Sequence, residues 1–283
     1  MIDETVAEIE EMQTHSSSVV AVKAARALFE LNDREYATVD EFVRDVERNS
    51  SVLRRANPSH ASLFNVQRTI TRDLNEADPD SVEEGKAALE TAIEEMVERI
   101  EGGKKRAAAH TAELIEDGTT ILTHDYSSTV NAAIERAVDG GVSVSVYVTE
   151  ARPRMAGRKT ARKLGEIDGV EPTLIVDSAA GTYLQECDFV LMGMDCLVSD
   201  TLYNRIGTYP IAATAADLDV PMYVTGSGAK LIDSGFAFEN EYRPTSEVLL
   251  EPTEGFAIEN PLYDATPVRL LDGIITDDGA MSF

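Results

Sequence analysis

Apolar residues in the first part of the chain recur at the spacing of amphipathic helices. Ile2, Val6 and Ile9 fall on one helical face at the start of the sequence. Residues 89–100 repeat the pattern, with a leucine, two isoleucines and a methionine that step by three and four. Because this spacing places apolar side chains on one side of a helix, we expect a helical N-terminal domain over residues 1–115.

Polar residues predict where two of these helices begin. Thr38 with Glu41, and Ser81 with Glu84, have the spacing of a capping box. The glycine pair at 102–103 is expected to interrupt the last helix, because glycine lowers helix stability. These signals divide the N-terminal part of the chain into several separate helices.

From about residue 118 the pattern changes to short strands that alternate with helical segments. Five runs rich in apolar and β-branched residues predict strands at 120–123, 142–149, 173–176, 189–192 and 222–224. This alternation is typical of βαβ units and a parallel sheet. We therefore predict an α/β fold in which the N-terminal helical domain precedes a Rossmann-like parallel sheet flanked by helices, at residues 116–283. The tail is expected to end in a helix through Leu270 and Leu271.

The charge of the chain is strongly negative. Its 283 residues include 51 acidic and 25 basic side chains, a formal charge of -26. The acids are spread along the sequence, which favours a salt-adapted protein whose self-repulsion is screened by counterions. Direct nucleic-acid binding is not expected, because it needs a basic surface. No apolar run reaches the ~18 residues of a membrane span, and the acidic N-terminus lacks a signal peptide, so we expect a soluble cytoplasmic protein.

Neither a metal nor a cofactor is expected. The two cysteines, Cys187 and Cys196, are too few for a four-thiolate zinc site and are predicted to be reduced core residues. The four histidines lack the spacing of metal ligands. Gly226 and Gly228 form only part of a G-x-G-x-x-G dinucleotide motif and come late in the predicted sheet, so a dinucleotide site is rejected.

Four acids stand at the ends of predicted strands: Asp125, Glu150, Asp177 and Asp195. In an open parallel sheet, ligands bind outside the carboxyl ends of the strands. A carboxylate there also has a simpler role as the N-cap of the following helix, and this role is favoured for Asp177. For Asp195, proton transfer to a ligand is weighed against capping.

Residues 151–165 reverse the local charge, with six basic residues and no acid. The run lies between a predicted strand and a predicted helix, where backbone N–H groups also attract anions. We interpret it as a phosphate site in which Arg152 is a bidentate donor. The alternative, a solvated helix face paired with neighbouring acids, is favoured for Arg162 and Lys163.

Several motifs occur in order along residues 118–278. They are ILTHD at 121–125, EARPRMAG at 150–157, GMD at 193–195, NRIGT at 204–208, VPMYV at 220–224 and NPLYDATP at 260–267. The pattern resembles the translation initiation factor 2B alpha/beta/delta-like family, related to the methylthioribose 1-phosphate and ribose 1,5-bisphosphate isomerases. The acidic composition is similar to that of a salt-adapted archaeal member. Over residues 1–115 the resemblance is limited to the helical layout and ANPS at 56–59.

The resemblance implies roles for particular residues. Asp195 matches the family's general acid/base carboxylate, and Lys230 matches a lysine that meets a phosphate. In the isomerases a cysteine follows the histidine of I-L-T-H and works with that aspartate. Here Asp125 takes the position of the cysteine and is a candidate for a substitute base, a role weighed against the loss of proton transfer at this position. The remaining positions assigned to the ligand are Arg152, Asn204, Arg205, Ser127 and Arg55, or Arg54 in place of the last.

The missing cysteine favours a protein that binds a sugar phosphate or nucleotide without full isomerase activity, as in the regulatory subunits of the family. Residues 16–18 are serines where the isomerases carry an R-G-A anion-binding turn, which favours the same interpretation. The resemblance also implies a homodimer formed through the C-terminal half and leaves a translation-factor partner open. Two alternatives remain: an aldose–ketose isomerase acting on a ribose phosphate, and an assembly protein with a vestigial pocket.

Overall fold

The computed structural model describes residues 2–11, 17–58, 60–232, 236, 238–252 and 254–282. The chain forms two compact units. The first comprises Met1–Gly103 with Ser234–Glu239, and the second comprises Lys104–Asp233 with Asn240–Phe283. The predicted division into domains after residue 115 stays a prediction.

The first unit is built from helices. They are α1 (Ile2–Glu10), α2 (Ser17–Ala27), α3 (Val39–Arg55), α4 (Ala61–Glu76) and most of α5 (Val82–Ala112), with a 3-10 helix at Leu28–Asp33. The last residues of α5, from Lys104, belong to the second unit. Phe42, Leu63 and Ile93 are fully buried in its core. The predicted interruption at residues 102–103 is wrong, because α5 continues across both glycines. Buried side chains on either side, at Ile100 and Ala107, outweigh the ~1 kcal/mol that each glycine costs a helix.

Both predicted capping boxes are present. Thr38 Oγ1 accepts from the backbone N–H of Glu41, and Ser81 Oγ accepts from that of Glu84, each at 3.2 Å. Each glutamate carboxylate in turn accepts from the N–H of the residue that precedes the cap. These bonds pair backbone donors that the chain otherwise leaves unsatisfied, so they fix where α3 and α5 begin.

The second unit contains two sheets. Its strands are β1 (Thr120–His124), β2 (Val144–Thr149), β3 (Val170–Ile175), β4 (Phe189–Gly193), β5 (Cys196–Val198), β6 (Thr201–Arg205), β7 (Met222–Thr225), β8 (Leu231–Ile232), β9 (Tyr263–Pro267), β10 (Gly273–Thr276) and β11 (Gly279–Ser282). Its further helices are α6 (Ser128–Asp139), α7 (Gly157–Leu164), α8 (Ala180–Tyr183) and α9 (Thr208–Asp217). The main sheet has the order β11-β10-β7-β4-β1-β2-β3 and is parallel except for β11.

Side chains of β4 alternate between two apolar clusters on opposite faces of the main sheet. Val190 and Met192 pack in the cluster that includes α9, while Phe189 and Leu191 pack in the cluster that includes α6. Burial on both faces explains why this strand is a continuous apolar run in the sequence. The predicted α/β fold, with helices before a Rossmann-like parallel sheet, is confirmed. None of the helices in the described stretches is long and apolar enough to cross a bilayer.

The second sheet, β8-β5-β6-β9, was not predicted from the sequence. β6 pairs antiparallel with β5 and with β9. Its residues alternate between buried and half-buried positions but include a threonine, an asparagine and an arginine, so the apolar pattern of a strand is weak. The second sheet places the end of β6 beside the carboxyl edge of the main sheet, through contacts described below.

The predicted helix through Leu270 and Leu271 is wrong. A single 3-10 turn at Val268–Leu270 is followed by β10. The cause is the pairing of Asp272 with Met222: the Asp272 N–H donates to the Met222 carbonyl and the Asp272 carboxylate accepts from the Met222 N–H, each at 2.8 Å. These two bonds hold the tail extended against β7.

Candidate functional site

The predicted strand-end acids lie along one edge of the main sheet. β1 and β2 end in register, with His124 opposite Thr149, and β4 and β7 end with Gly193 opposite Thr225. The residues that follow these strands therefore emerge side by side at the carboxyl edge. We call this edge, from Asp125 to Lys230, the rim. The name includes side chains of the second sheet that reach this edge.

Two rim carboxylates share one arginine. The Nε atom of Arg205, at the end of β6, lies 3.0 Å from Oδ2 of Asp125 and 4.0 Å from Oδ2 of Asp195. The side chains of Asp125, Arg205 and Asp195 are 17%, 19% and 26% exposed, so solvent screens the group only partly. Burial opposes the charge of Arg205, but Asp195, Tyr263 and Asp125 together raise its pKa. The structure therefore brings together three of the predicted site residues.

The backbone around Asp125 is held in an uncommon conformation. Asp125, Ala151 and Met155 have φ angles of 63°, 56° and 56°, which place non-glycine residues in the left-handed region. Thr160 Oγ1 donates to the Asp125 carbonyl at 2.7 Å and fixes this turn to α7. Left-handed residues cost about 1–2 kcal/mol each and concentrate at functional sites. Their clustering at the rim is independent support for a site there.

Asp177 does not cap the 3-10 helix that follows it, so its favoured role is wrong. Its carboxylate accepts instead from the backbone N–H groups of Ala151 and Arg152, at 2.8 and 2.7 Å. The loop after β2 would otherwise leave these two donors unpaired, and the neighbouring strand end supplies the acceptor. Asp177 therefore shapes the basic loop and is a structural residue of the rim.

The exposed side chain of Arg152 donates from Nη2 to the Val248 carbonyl at 3.1 Å. Arg154, two residues further on, is half-buried, and burial followed by repulsion from Arg243 and Arg205 lowers its pKa. Asp125 also acts on the Arg154 charge. The charges of Asp125 and Arg205 therefore both act on Arg154. Arg154 and Arg152 could not be distinguished from the sequence, because both belong to one basic run. The proposed phosphate role of Arg152 stays a prediction.

Lys230 reaches the rim from the turn after β7. Its Nζ donates to the carbonyl of Met194 at 2.6 Å, next to Asp195. Burial lowers the pKa of Lys230, and the nearby Asp195 carboxylate opposes that effect. Asp277 supports the turn, since its Oδ1 accepts from the Gly228 N–H at 2.6 Å. The sequence did not single out Asp277, and no motif signals it.

Of three other predicted ligand residues, two have structural contacts. Asn204 is 6% exposed and donates from Nδ2 to Thr208 Oγ1, which ties β6 to α9. Ser127 caps α6, where its Oγ accepts from the Val130 N–H at 3.3 Å. Arg55 is the last residue of α3, in the first unit. Their roles toward a ligand stay predictions. Of the serines at 16–18, Ser16 lies outside the described residues, and Ser17 and Ser18 begin α2.

Tyr263 is a rim residue that the sequence did not single out. The guanidinium carbon of Arg205 lies 5.1 Å from the centre of its ring. Burial and the Asp195 carboxylate raise the pKa of the Tyr263 hydroxyl, so it stays protonated at neutral pH. It is the tyrosine of the NPLYDATP motif, and its place in that motif was the available signal.

Neither cysteine offers a thiolate to the rim. Cys196 is 1% exposed, and burial followed by Asp195 raises its pKa. Burial likewise raises the pKa of Cys187 to about 12, and its Sγ donates to the Tyr183 carbonyl. Among the described residues, no group of three or more histidine, cysteine, aspartate or glutamate side chains is placed to hold a metal ion.

The fold and the rim define a class of protein: a Rossmann-like α/β unit, preceded by helices, with paired carboxylates and cations at the carboxyl edge of its sheet. The model of the initiation factor 2 subunit family matches residues 13–283. This chain therefore belongs to the initiation factor 2 subunit family, and the resemblance drawn from the motifs is confirmed.

Relatives of the chain carry different names. It is 33% identical over 284 residues to the ribose 1,5-bisphosphate isomerase of Haloferax volcanii, covering 97% of this chain and 87% of that protein. It is similar to the crystal structure of translation initiation factor eIF-2B from Pyrococcus horikoshii OT3, with a TM-score of 0.83, 27% identity, and 99% and 96% coverage of the two chains. The tetrameric eIF2B-beta2-delta2 complex of C. thermophilum shares the fold, with a TM-score of 0.81, 19% identity, and 99% and 90% coverage.

Proposed function

We propose that this chain binds a phosphorylated sugar or nucleotide at the rim and lacks full isomerase activity. The observation that carries the proposal is the ion pair between Asp125 and Arg205, at 3.0 Å. The resemblance places a cysteine of the isomerases at the position of Asp125. A carboxylate engaged by a guanidinium does not relay a proton as a thiol does, because a thiol titrates near neutral pH. The site is thus better suited to binding than to turnover.

The distribution of charge supports a phosphorylated ligand. Arg154 and Lys230 are cations on half-buried side chains at the rim, and burial lowers the pKa of both. Burying a charged side chain costs free energy, and an anion placed between or beside these two cations reduces that cost. Hydrogen bonds between charged groups are stronger than those between neutral groups. The chain has a formal charge of -26, so it does not attract anions in general. Binding of an anion at the rim therefore depends on these particular cations.

Isothermal titration in molar KCl tests the binding proposal, with ribose 5-phosphate and adenosine monophosphate as probes. We expect saturable binding of at least one probe and a roughly 10-fold or greater loss of affinity in Arg154→Gln, as for loss of a charge-assisted hydrogen bond. Arg136→Gln is the matched control, because Arg136 is exposed in the last turn of α6. Absence of binding by both probes, or equal losses in the two variants, would contradict the proposal.

An aldose–ketose isomerase acting on a ribose phosphate is the second candidate. It is favoured by the name of the Haloferax volcanii relative, at 33% identity. Asp195 also lies at the rim, where a carboxylate can take a proton from a bound sugar. Formation of a ketose phosphate by the wild type that Asp195→Asn abolishes would decide for this function.

We further propose that the chain acts as a cytoplasmic homodimer formed through its C-terminal half. The C. thermophilum complex shares the fold and is a tetramer, so this fold is compatible with assembly into oligomers. Light scattering in molar KCl tests it: a mass near twice 30.8 kDa is expected, and a monomer would overturn it.

A further inference from the structure

The strand β3 leaves one edge of the main sheet open. It pairs with β2 and is the last strand in the order, so its other side meets no strand of the described chain. The carbonyls of Gly169 and Ile175 accept from the N–H groups of Val144 and Glu150, beside them along β2. Because successive residues of a strand direct their backbone groups to opposite sides, the N–H and carbonyl of Leu174 point away from β2. Leu174 therefore offers a donor and an acceptor to a further strand.

Apolar side chains are exposed along the same edge. Leu174 is 44% exposed, and Val176, the extended residue that follows the strand, is 55% exposed. Side chains alternate along a strand, so both lie on the sheet face of Val170. Val170 shares an apolar cluster with Leu164 of α7, while Ile175 belongs to the cluster on the opposite face. Exposed apolar side chains beside unpaired backbone groups are the features by which an edge strand binds another strand.

The helix over this edge, α7, presents an unpaired cation. Its Lys163 lies toward α6, with 3.9 Å between Nζ and Oε2 of Glu135. Gly165 follows α7 and lies next to β3, since an added Cβ would be 3.7 Å from Cγ of Pro172. Arg162 is three residues before Gly165 and therefore shares its side of the helix. Arg162 is exposed and has no ion-pair or hydrogen-bond partner within the ranges that the structure describes.

The charge of Arg162 determines which strand fits the edge. Antiparallel pairing with β3 of a second copy would place Arg162 of both copies on one face of the joined sheet, where like charges repel. A segment with carboxylate side chains on that face instead pairs with Arg162 through charge-assisted hydrogen bonds. The chain carries a formal charge of -26, but at 1 M salt the Debye length is ~3 Å, so its distant acids oppose such a segment little.

We propose that the free edge of β3 binds an extended acidic segment of another protein as an additional strand of the main sheet. The backbone of Leu174 donates to and accepts from the segment. The side chains of Leu174 and Val176 contact its apolar residues, and Arg162 pairs with a carboxylate on the same face. None of these three residues belongs to the proposed ligand site, so the inference goes beyond the proposed function and does not depend on it.

Fluorescence anisotropy of labelled synthetic peptides, titrated with the full chain in molar KCl, tests the proposal. The acidic probe repeats Thr-Glu-Thr-Val three times, so that one face of the extended peptide alternates glutamate with valine. The matched probe has lysine in place of each glutamate. We expect saturable binding of the acidic probe that is at least ~10-fold tighter than that of the lysine probe, because Arg162 attracts one and repels the other.

Leu174→Pro separates strand addition from simple apolar contact. Proline removes the outward N–H and leaves the bonds to β2 intact, as proline does on natural edge strands. Leu174→Thr keeps that N–H. We expect binding of the acidic probe to weaken at least ~10-fold in Leu174→Pro and ~3-fold or less in Leu174→Thr. Arg162→Gln should reduce the preference for the acidic probe to ~3-fold or less, while Arg136→Gln, at an exposed position of α6, should keep it.

Three results would overturn the proposal. They are absence of binding by the acidic probe, equal affinity of the wild type for the two probes, and equal losses in Leu174→Pro and Leu174→Thr. Light scattering adds a fourth: a dimer that Leu174→Pro converts to a monomer would assign the edge to a second copy of this chain. The comparison of the two probes uses the wild type alone, so it decides even if Leu174→Pro is unstable.

Discussion

Asp125 and Arg205 lie 80 residues apart in the sequence and form a hydrogen-bonded ion pair, with 3.0 Å between Oδ2 and Nε. The pair joins the end of β1 in the main sheet to the end of β6 in the second sheet. It also places the guanidinium within 4.0 Å of Asp195. Asp125, which the resemblance places at the position of the isomerase cysteine, is thus engaged by a cation beside the predicted acid/base carboxylate.

Replacing Asp125 by cysteine should create isomerase turnover. The thiol would lie beside Arg205, a cation that favours the thiolate, and beside Asp195, which can take the second proton-transfer role. We expect ketose formation from ribose 1,5-bisphosphate at least ~100-fold faster in Asp125→Cys than in Asp125→Ser, which has nearly the same size without an acidic proton. NMR of the sugar carbons measures both rates. Equal rates in the two variants would show that the thiol is not the missing element.

Gly207 should be intolerant of a side chain. Its φ angle is 107°, and an added Cβ would lie 2.7 Å from Cε1 of the buried His124. We expect Gly207→Ala to lower the free energy of unfolding by about 2–4 kcal/mol, from backbone strain plus overpacking. Gly118→Ala is the control, with φ of 83° and nothing within 4 Å of an added Cβ, and should lose about 1–2 kcal/mol. Urea unfolding measures both, and equal losses would exclude the clash with His124.

Asp264, which lies in β9, should stabilise the N-terminus of α9. Its Oδ2 accepts from the N–H groups of Gly207 and Tyr209, at 2.7 and 3.0 Å, which caps the helix with a negative charge. We expect Asp264→Ala to destabilise the fold by about 1–2 kcal/mol. Asp264→Asn keeps an acceptor oxygen without the charge and should lose less. If asparagine and alanine are equally destabilising in thermal unfolding, the cap acts through its charge and not through its hydrogen bonds.

Phosphate binding should weaken as the pH rises. The pKa of Lys230 lies below the usual lysine value because of burial, so the ammonium loses its proton at a lower pH than an ordinary lysine. Only the charged form attracts the phosphate, so affinity for ribose 5-phosphate should fall at a lower pH than it would with an ordinary lysine. Titrations from pH 7 to 9.5 measure the slope. Lys230→Arg, which keeps its charge over that range, should flatten it, and an unchanged slope in that variant would assign the effect to another group.

The parallel sheet was predictable because its strands are buried on both faces. Runs such as Phe189–Gly193 are apolar throughout, and the residues that follow them must emerge at one edge. The position of Asp195 at the rim follows from this argument alone. The motifs around it identified the family, since their order survives even where single residues differ.

The partners within the site were not predictable, because they depend on contacts between distant segments. β6 is short and partly polar, so nothing in its sequence indicates that Arg205 would reach Asp125. Arg152 and Arg154 belong to one basic run, and only the fold shows that the first is exposed and the second half-buried. The prediction of a helix in the tail was wrong because it also depends on a distant contact. The pairing of Asp272 with β7 overrides the apolar pattern that predicted the helix.

The most direct test of the central claim follows one sample by calorimetry and by NMR. Wild-type protein in molar KCl is titrated with ribose 5-phosphate and then incubated with ribose 1,5-bisphosphate. Saturable binding of the first sugar, with no ketose from the second beyond the rate of an Asp195→Asn sample, is the predicted result. Rapid ketose formation by the wild type that the Asp195→Asn sample lacks would contradict the account, because it would show that a rim with Asp125 in place of the cysteine is a working isomerase site.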